Sequence, residues 1–132
     1  MRGHGTLFRG RRLSIGMSRR TQTLLIVVSI MALGALWLAR RPDTSPTDAR
    51  RLVAAGAKLV DVRSPEEFAA GHLPGARNIP VDELTSRLEE IGPRDLSVVV
   101  YCATGGRSAS AARLLAGAGF TQVHNLGPMS AW

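Results

Sequence analysis

One cysteine stands in the chain, Cys102, and it opens the run Cys102-Ala103-Thr104-Gly105-Gly106-Arg107-Ser108. A single cysteine excludes an internal disulfide and a multi-cysteine zinc site. Lone cysteines are mostly small buried hydrophobes, but the neighbours of this one favour a thiolate. Gly105 and Gly106 free the backbone to turn its amides toward one point, as a nest for an anion. A helix expected from Ser108 aims its positive end at the same place, with Ser108 as its cap. Arg107 adds a permanent charge. All three features stabilise thiolate over thiol, and the thiolate is the nucleophile. Four residues separate Cys102 from Arg107, one fewer than in a Cys-x5-Arg loop that cradles a phosphoryl group. The smaller ring of amides suits a single outer sulfur on Cys102, a persulfide.

Other polar residues are weaker candidates. Asp61 and Arg63 sit at a strand end, where they could order the rim of the site, or Arg63 could simply pair with Glu66 or Glu67. His72, inside Gly71-His72-Leu73-Pro74-Gly75, reads as a hydrogen-bonding turn residue rather than a general base, and His4 and His124 have no supporting neighbours.

The elements that would position Cys102 alternate between helix and strand. Ser45-Pro46-Thr47-Asp48 is a helix start, with Ser45 as cap, and Gly56 ends that helix. Lys58 to Val62 is a short strand, and Pro65-Glu66-Glu67-Phe68 opens a short helix stopped near Gly71. Leu84, Leu88 and Ile91 give the stretch from Val81 to Ile91 helical spacing. Ser97 to Tyr101 is a β-branched run suited to a strand buried on both faces of a parallel sheet. A helix over Ser108–Ala116, closed by Gly117 and Gly119, and a strand over Gln122–Leu126 complete the pattern. This order predicts an α/β domain with a mostly parallel sheet flanked by helices, in which Cys102 lies at the carboxyl edge where ligands bind.

Charge divides the chain. Residues 1–41 hold eight arginines and no acid, while residues 42–132 hold eight arginines, one lysine and ten acids. Residues 1–20 read as a basic disordered tail. Residues 21–39 are uncharged and largely apolar, about 28 Å as a helix, and are expected to be one transmembrane helix through a lipid bilayer. Arg19-Arg20 and Arg40-Arg41 bracket them, and Trp37 sits near one end as an interfacial residue would. A cleaved signal peptide is the alternative, but Trp37 occupies the position where cleavage after Ala39 needs a small residue. Residues 40–46 form a linker and 47–132 the domain. Six arginines before the span against four after it favour a cytoplasmic N-terminus and a body outside, at a bacterial inner membrane. With no aromatic-interleaved basic patch in the body, nucleic acid is not expected as a partner.

Taken together, the motifs resemble the rhodanese-like family of single-domain sulfurtransferases. The matching stretches are Asp61-Val62-Arg63, Glu67-Phe68, Gly71-His72-Leu73-Pro74-Gly75-Ala76, Asn78-Ile79-Pro80, Cys102-x-x-Gly105-x-Arg107-Ser108, and Gly119-Phe120 onward to Trp132. The resemblance implies a central parallel sheet flanked by helices. It also implies transfer of sulfane sulfur from a small donor such as thiosulfate to a thiol or cyanide acceptor. Cys102 and Arg107 would be catalytic, the amides from Ala103 through Thr104, Gly105 and Gly106 to Arg107 would hold the persulfide with Ser108 beside them, and no metal or organic cofactor is needed. Two departures stand out: Gly127-Pro128 replaces the usual Gly-Gly, so the turn there must differ, and the family's usual short closing helix does not follow Trp132, so one sheet face is expected to be less covered. Those departures motivate a rival reading, a non-catalytic binding or redox-sensing module at the membrane. A phosphatase or arsenate-reducing enzyme would use the same Cys and Arg, and the loop length argues against it.

Overall fold

The computed structural model describes residues 18–38 and 43–132, the side chains of 36–38 excepted. The expected disordered tail lies outside the described residues except for its last three, as do residues 40–42 of the expected linker. The N-terminal helix and the body are separate compact units.

Helix α1 runs Arg19–Leu38 and so begins two residues before the expected span. Ser18 explains the earlier start: its hydroxyl accepts the Thr21 N–H at 3.4 Å and its carbonyl accepts that of Gln22 at 3.0 Å, which caps the helix ahead of the arginine pair. Leu24, Leu25, Ile26, Val27 and Val28 are consecutive and all exposed, so the apolar surface circles the helix rather than forming a stripe. The described side chains end at Ala35. Among the described residues no helix is long and apolar enough to cross a membrane.

In the body, the β-branched run becomes β3 (Val98–Cys102), every residue of which is buried. Around it lie β1 (Lys58–Asp61), β2 (Arg77–Asn78) and β4 (Val123–Pro128), in the order β2-β1-β3-β4 with every pairing parallel. Strand alternation then sorts the core. Val98, Val100 and Cys102 face one layer with Val60, Val62, Ile79, Leu84, Ile91, Ala111, Leu115 and Phe120, beneath helix α4 (Gly106–Gly117). Val99 and Tyr101 face the other, with Leu59, Leu126 and Ala49 of helix α2 (Pro46–Ala54). Met129, Ala131 and Trp132 pack against that second face, which the sequence had suggested would be less covered. Helix α3 (Pro65–Ala70) follows β1 and carries a full capping box between Ser64 and Glu67.

The 81–91 stretch and the last strand also differ from expectation. The stretch from Val81 to Ile91 is not one helix but two 3₁₀ turns, Leu84–Ser86 and Leu88–Glu90. Arg87 leaves the helical region at φ −120°, its guanidinium forked between Glu83 at 2.7 Å and Glu90 at 2.6 Å, and the Ser86 hydroxyl donates to the Glu83 carbonyl that a helix would use. Leu84, which opens the first turn, and Ile91, which closes the second, are nonetheless buried. Strand β4 runs through Gly127-Pro128 instead of stopping at Leu126. Its register slips so that Val100 faces Asn125 while Tyr101 faces Gly127, a bulge made by Gly127 at φ +83°.

The end of β1 is tied down by buried polar contacts. Tyr101 extends its ring beneath this end, and its hydroxyl accepts the buried Leu73 N–H at 3.0 Å. Burial pushes the Tyr101 phenol well above its ordinary range. Tyr101→Phe strands that amide, and urea unfolding is expected to show a loss of about 1–3 kcal/mol.

Candidate active site

Cys102 closes β3, so alternation turns its side chain under α4 rather than out of the sheet edge. The sequence placed this sulfur at the mouth of a loop. In the fold the residue is wholly buried, with exposed Ala103 and Thr104 above it. Reagents therefore reach the sulfur only through this loop or its edge.

The loop turns toward the sulfur nonetheless. Gly105 adopts φ +92°, ψ −17°, a left-handed conformation that glycine enters freely, and its N–H donates to Cys102 Sγ at 3.0 Å. That turn starts α4 at Gly106, two residues ahead of expectation, with Gly105 as N-cap. Ser108 is consequently not the cap. It lies buried in the first turn, its hydroxyl donating to the Gly105 carbonyl at 3.1 Å and lying 3.5 Å from the carbonyl of Gly127. The Cys102 thiol donates to this same hydroxyl oxygen across 3.6 Å. When the thiol loses its proton, rotation of the Ser108 O–H gives the sulfur a donor in place of an acceptor. Burial pushes the Cys102 thiol up. The Ser108 hydroxyl and the backbone amides of Ser108, Thr104 and Gly105 push it down more strongly, and the net shift is downward.

Arg107 is not an unpaired cation over the loop. Its Nη1 and Nη2 grip Glu67 Oε2 and Oε1 at 2.6 and 2.8 Å, a bidentate pair bridging α4 and α3, both side chains about a third exposed at 38% and 36%. Hydrogen bonds from Arg107, then the Ser64 amide, hold the Glu67 carboxyl at about 2. A depressed acid stabilises the fold above its unfolded value near 4.5, and that contribution disappears as pH falls through about 2. The pair is intact at neutral pH. Glu67 was missed as a site residue. The Ser64-x-x-Glu67 spacing shows its capping role, but nothing local marks a partner 40 positions away.

Arg63 does not pair with Glu66 or Glu67. It folds back on Asp61, with Nη2 at 2.6 Å from Oδ2 and Nε at 3.0 Å from Oδ1, and both residues are buried. Its Nη2 also donates to the Gly71 carbonyl at 2.7 Å, and Asn78 Nδ2 donates to the carbonyls of Asp61 and Arg63. This node fixes the carboxyl end of β1 and the Gly71 turn. Its charges reach Glu67 and Arg107 through space only. His72 donates its Nδ1–H to the Phe68 carbonyl, 2.9 Å away, and stacks on the Phe68 ring at 3.7 Å. His124 does have a neighbour, the Thr44 hydroxyl at 3.4 Å, and His4 lies outside the described residues. Among the described residues no cluster of three His, Cys, Asp or Glu side chains could hold a metal.

Ser108→Ala removes the strongest of the influences that lower the thiol. Alkylation of Cys102 by iodoacetamide, followed across pH, should show its midpoint move upward, with the rate at neutral pH falling about ten-fold, the worth of one hydrogen bond to a charged group.

Residues 45–132 match the Rhodanese-like domain family. A human thiosulfate:glutathione sulfurtransferase is 39% identical over 102 residues, covering 67% of this chain and 89% of that protein. The thiosulfate sulfurtransferase GlpE of Ectopseudomonas mendocina is 39% identical over 82 residues, covering 62% and 74%. Among solved structures, the human single-domain sulfurtransferase TSTD1 superposes with a TM-score of 0.61 at 37% identity, covering 70% of this chain and 92% of that one. The parallel sheet, the loop curled over its one sulfur and these likenesses agree: the chain belongs to the rhodanese-like family.

Proposed function

We propose that this thiosulfate sulfurtransferase-like enzyme carries sulfane sulfur on Cys102 as a persulfide. The observation that carries the reading is the Gly105 N–H aimed at Cys102 Sγ from 3.0 Å inside an otherwise apolar layer, a donor that a merely structural cysteine does not need. In the first half-reaction the Cys102 thiolate attacks the outer sulfur of thiosulfate. The new S–S bond forms as the donor's S–S bond breaks, and sulfite leaves with the bonding electron pair. In the second, an acceptor thiolate or cyanide attacks the outer sulfur of the persulfide. Cys102 leaves as thiolate, and the product is an acceptor persulfide or thiocyanate. The amides from Ala103 to Arg107, with the Ser108 hydroxyl, stabilise the sulfur that carries negative charge in each step. Relatives named for thiosulfate and for glutathione support a thiosulfate donor and a thiol acceptor.

The full burial of Cys102 gives weight to a second reading, a rhodanese-like binding or redox-sensing module without turnover. Intact-mass measurement separates the two. After thiosulfate, the folded protein should gain the mass of one sulfur atom, Cys102→Ser should gain none, and a folded protein that stays unmodified overturns the enzyme reading.

We also propose that α1 anchors the protein in a bilayer, with the N-terminus cytoplasmic and the body outside. The described part of the 21–39 run exposes apolar side chains on all sides, and the full run of 19 uncharged residues would measure about 28 Å as a helix, near the hydrocarbon thickness of a membrane. Arginine pairs at 19–20 and 40–41 would mark its ends. The full chain should then stay with membranes through alkaline carbonate washing, while residues 43–132 alone should be released. Release of the full chain by carbonate would rule the anchor out. A reporter fused after Trp132 reads the orientation.

A further inference from the structure

Backbone amides cradle the sulfur of Cys102, but the side chains at the loop add no net positive charge to them. Once the thiolate forms, Arg107 is the single cation of the loop, and both arms of its guanidinium fork are already taken by Glu67. Arg63, whose charge reaches Glu67 through space, is itself paired with Asp61 at 2.6 Å. Counting side chains alone, thiolate, Glu67 and Arg107 sum to one negative charge, and a donor such as thiosulfate brings two more. An anion arriving at the loop must either share Arg107 with Glu67 or draw it away.

From this juxtaposition, and resting on the sulfurtransferase reading above, we infer that Glu67 is a specificity-determining residue: by occupying Arg107 it disfavours anionic reagents at Cys102 relative to uncharged ones. Glu67 positions Arg107 and touches no reacting atom. The arrangement also explains why the pair is only partly exposed and bidentate. A looser contact would release Arg107 to any passing anion, whereas the two-point grip demands a ligand able to compete for the same fork.

Glu67→Gln tests the charge alone. Glutamine occupies the same position of a capping box as glutamate does, so the start of α3 keeps its cap. Two alkylating agents of similar size supply the readout, iodoacetate with one negative charge and iodoacetamide with none. The ratio of their rates at Cys102 cancels the thiolate fraction and any general loosening of the loop. Glu67→Gln is expected to raise the iodoacetate-to-iodoacetamide ratio about three-fold or more, the order of a one-charge change felt through a water-like medium. Glu67→Asp, which keeps the charge, should leave it near the wild-type value. The wild-type chain gives the same answer without mutation: raising ionic strength screens a net negative site and should raise the ratio. A ratio that falls with salt, or that is unchanged in folded Glu67→Gln, overturns the inference. Since alkylation involves no sulfur transfer, a changed ratio with no persulfide would sink the proposed reaction and leave the role of Glu67 standing. In the sulfur-transfer assay, Glu67→Gln should lower KM for thiosulfate more than it changes kcat.

Discussion

A sulfur that must carry charge inside an apolar layer has to be given donors, and the carboxyl end of the body is arranged around that requirement. Strand alternation fixes where Cys102 points, because β3 is buried on both faces and cannot shift by one residue without turning Val98 and Val100 out of their layer. The following backbone must then curl back over the sulfur within three residues. The left-handed Gly105 does this, and the same turn begins α4, so the amides at the start of the helix and the serine of its first turn surround one atom. A β-carbon at position 105 would strain this conformation. The chemistry thus depends on a glycine as much as on the cysteine.

Two ion pairs with different physics flank this centre. Asp61 and Arg63 are buried, and their value lies in mutual satisfaction: either alone would be a charge in a poorly solvated place. Gly71 and Asn78 take up further hydrogen-bonding capacity around them, so the pair works as a rigid joint between β1, β2 and the turn after α3. Glu67 and Arg107 are about a third exposed, where a pair contributes little to stability. Their importance is positional. They tie α3, which rises from the joint at β1, to the first turn of α4, which builds the sulfur cradle.

Much of this was legible in the sequence, and the failures have several physical causes. The β-branched run, the glycine loop and the helix after it are local signals, and they placed the parallel sheet and its reactive edge. The capping box of α3 is likewise written in four adjacent residues, Ser64 to Glu67. What local reading could not show was pairing at a distance: Glu67 with Arg107, and Tyr101 with Leu73. Arg63 was misassigned because sequence proximity offered two glutamates, while geometry favoured the aspartate two residues back on its own strand end. The 81–91 stretch kept its apolar spacing but lost its helix to arginine and serine side chains that compete for the same groups. The strand was read as ending at Tyr101, with Cys102 opening the loop. Cys102 is buried because it is the last residue of the strand and not the first of the loop.

The proline at position 128 shows how a departure from the family pattern is accommodated. β4 is an edge strand, so a residue without an N–H can end it. Opposite Cys102, Pro128 completes the ladder with only its carbonyl and fixed backbone to offer. The bulge immediately before it absorbs the change. Asn125 Oδ1 takes the Gly127 N–H at 3.0 Å, and Gly127 at φ +83° turns its carbonyl to within 3.5 Å of the Ser108 hydroxyl. The edge strand therefore ends by presenting an alternative acceptor to the very hydroxyl that the sulfur uses. While the thiol keeps its proton, the single Ser108 O–H has two carbonyls within reach, those of Gly105 and Gly127, and on deprotonation it turns from both to the sulfur.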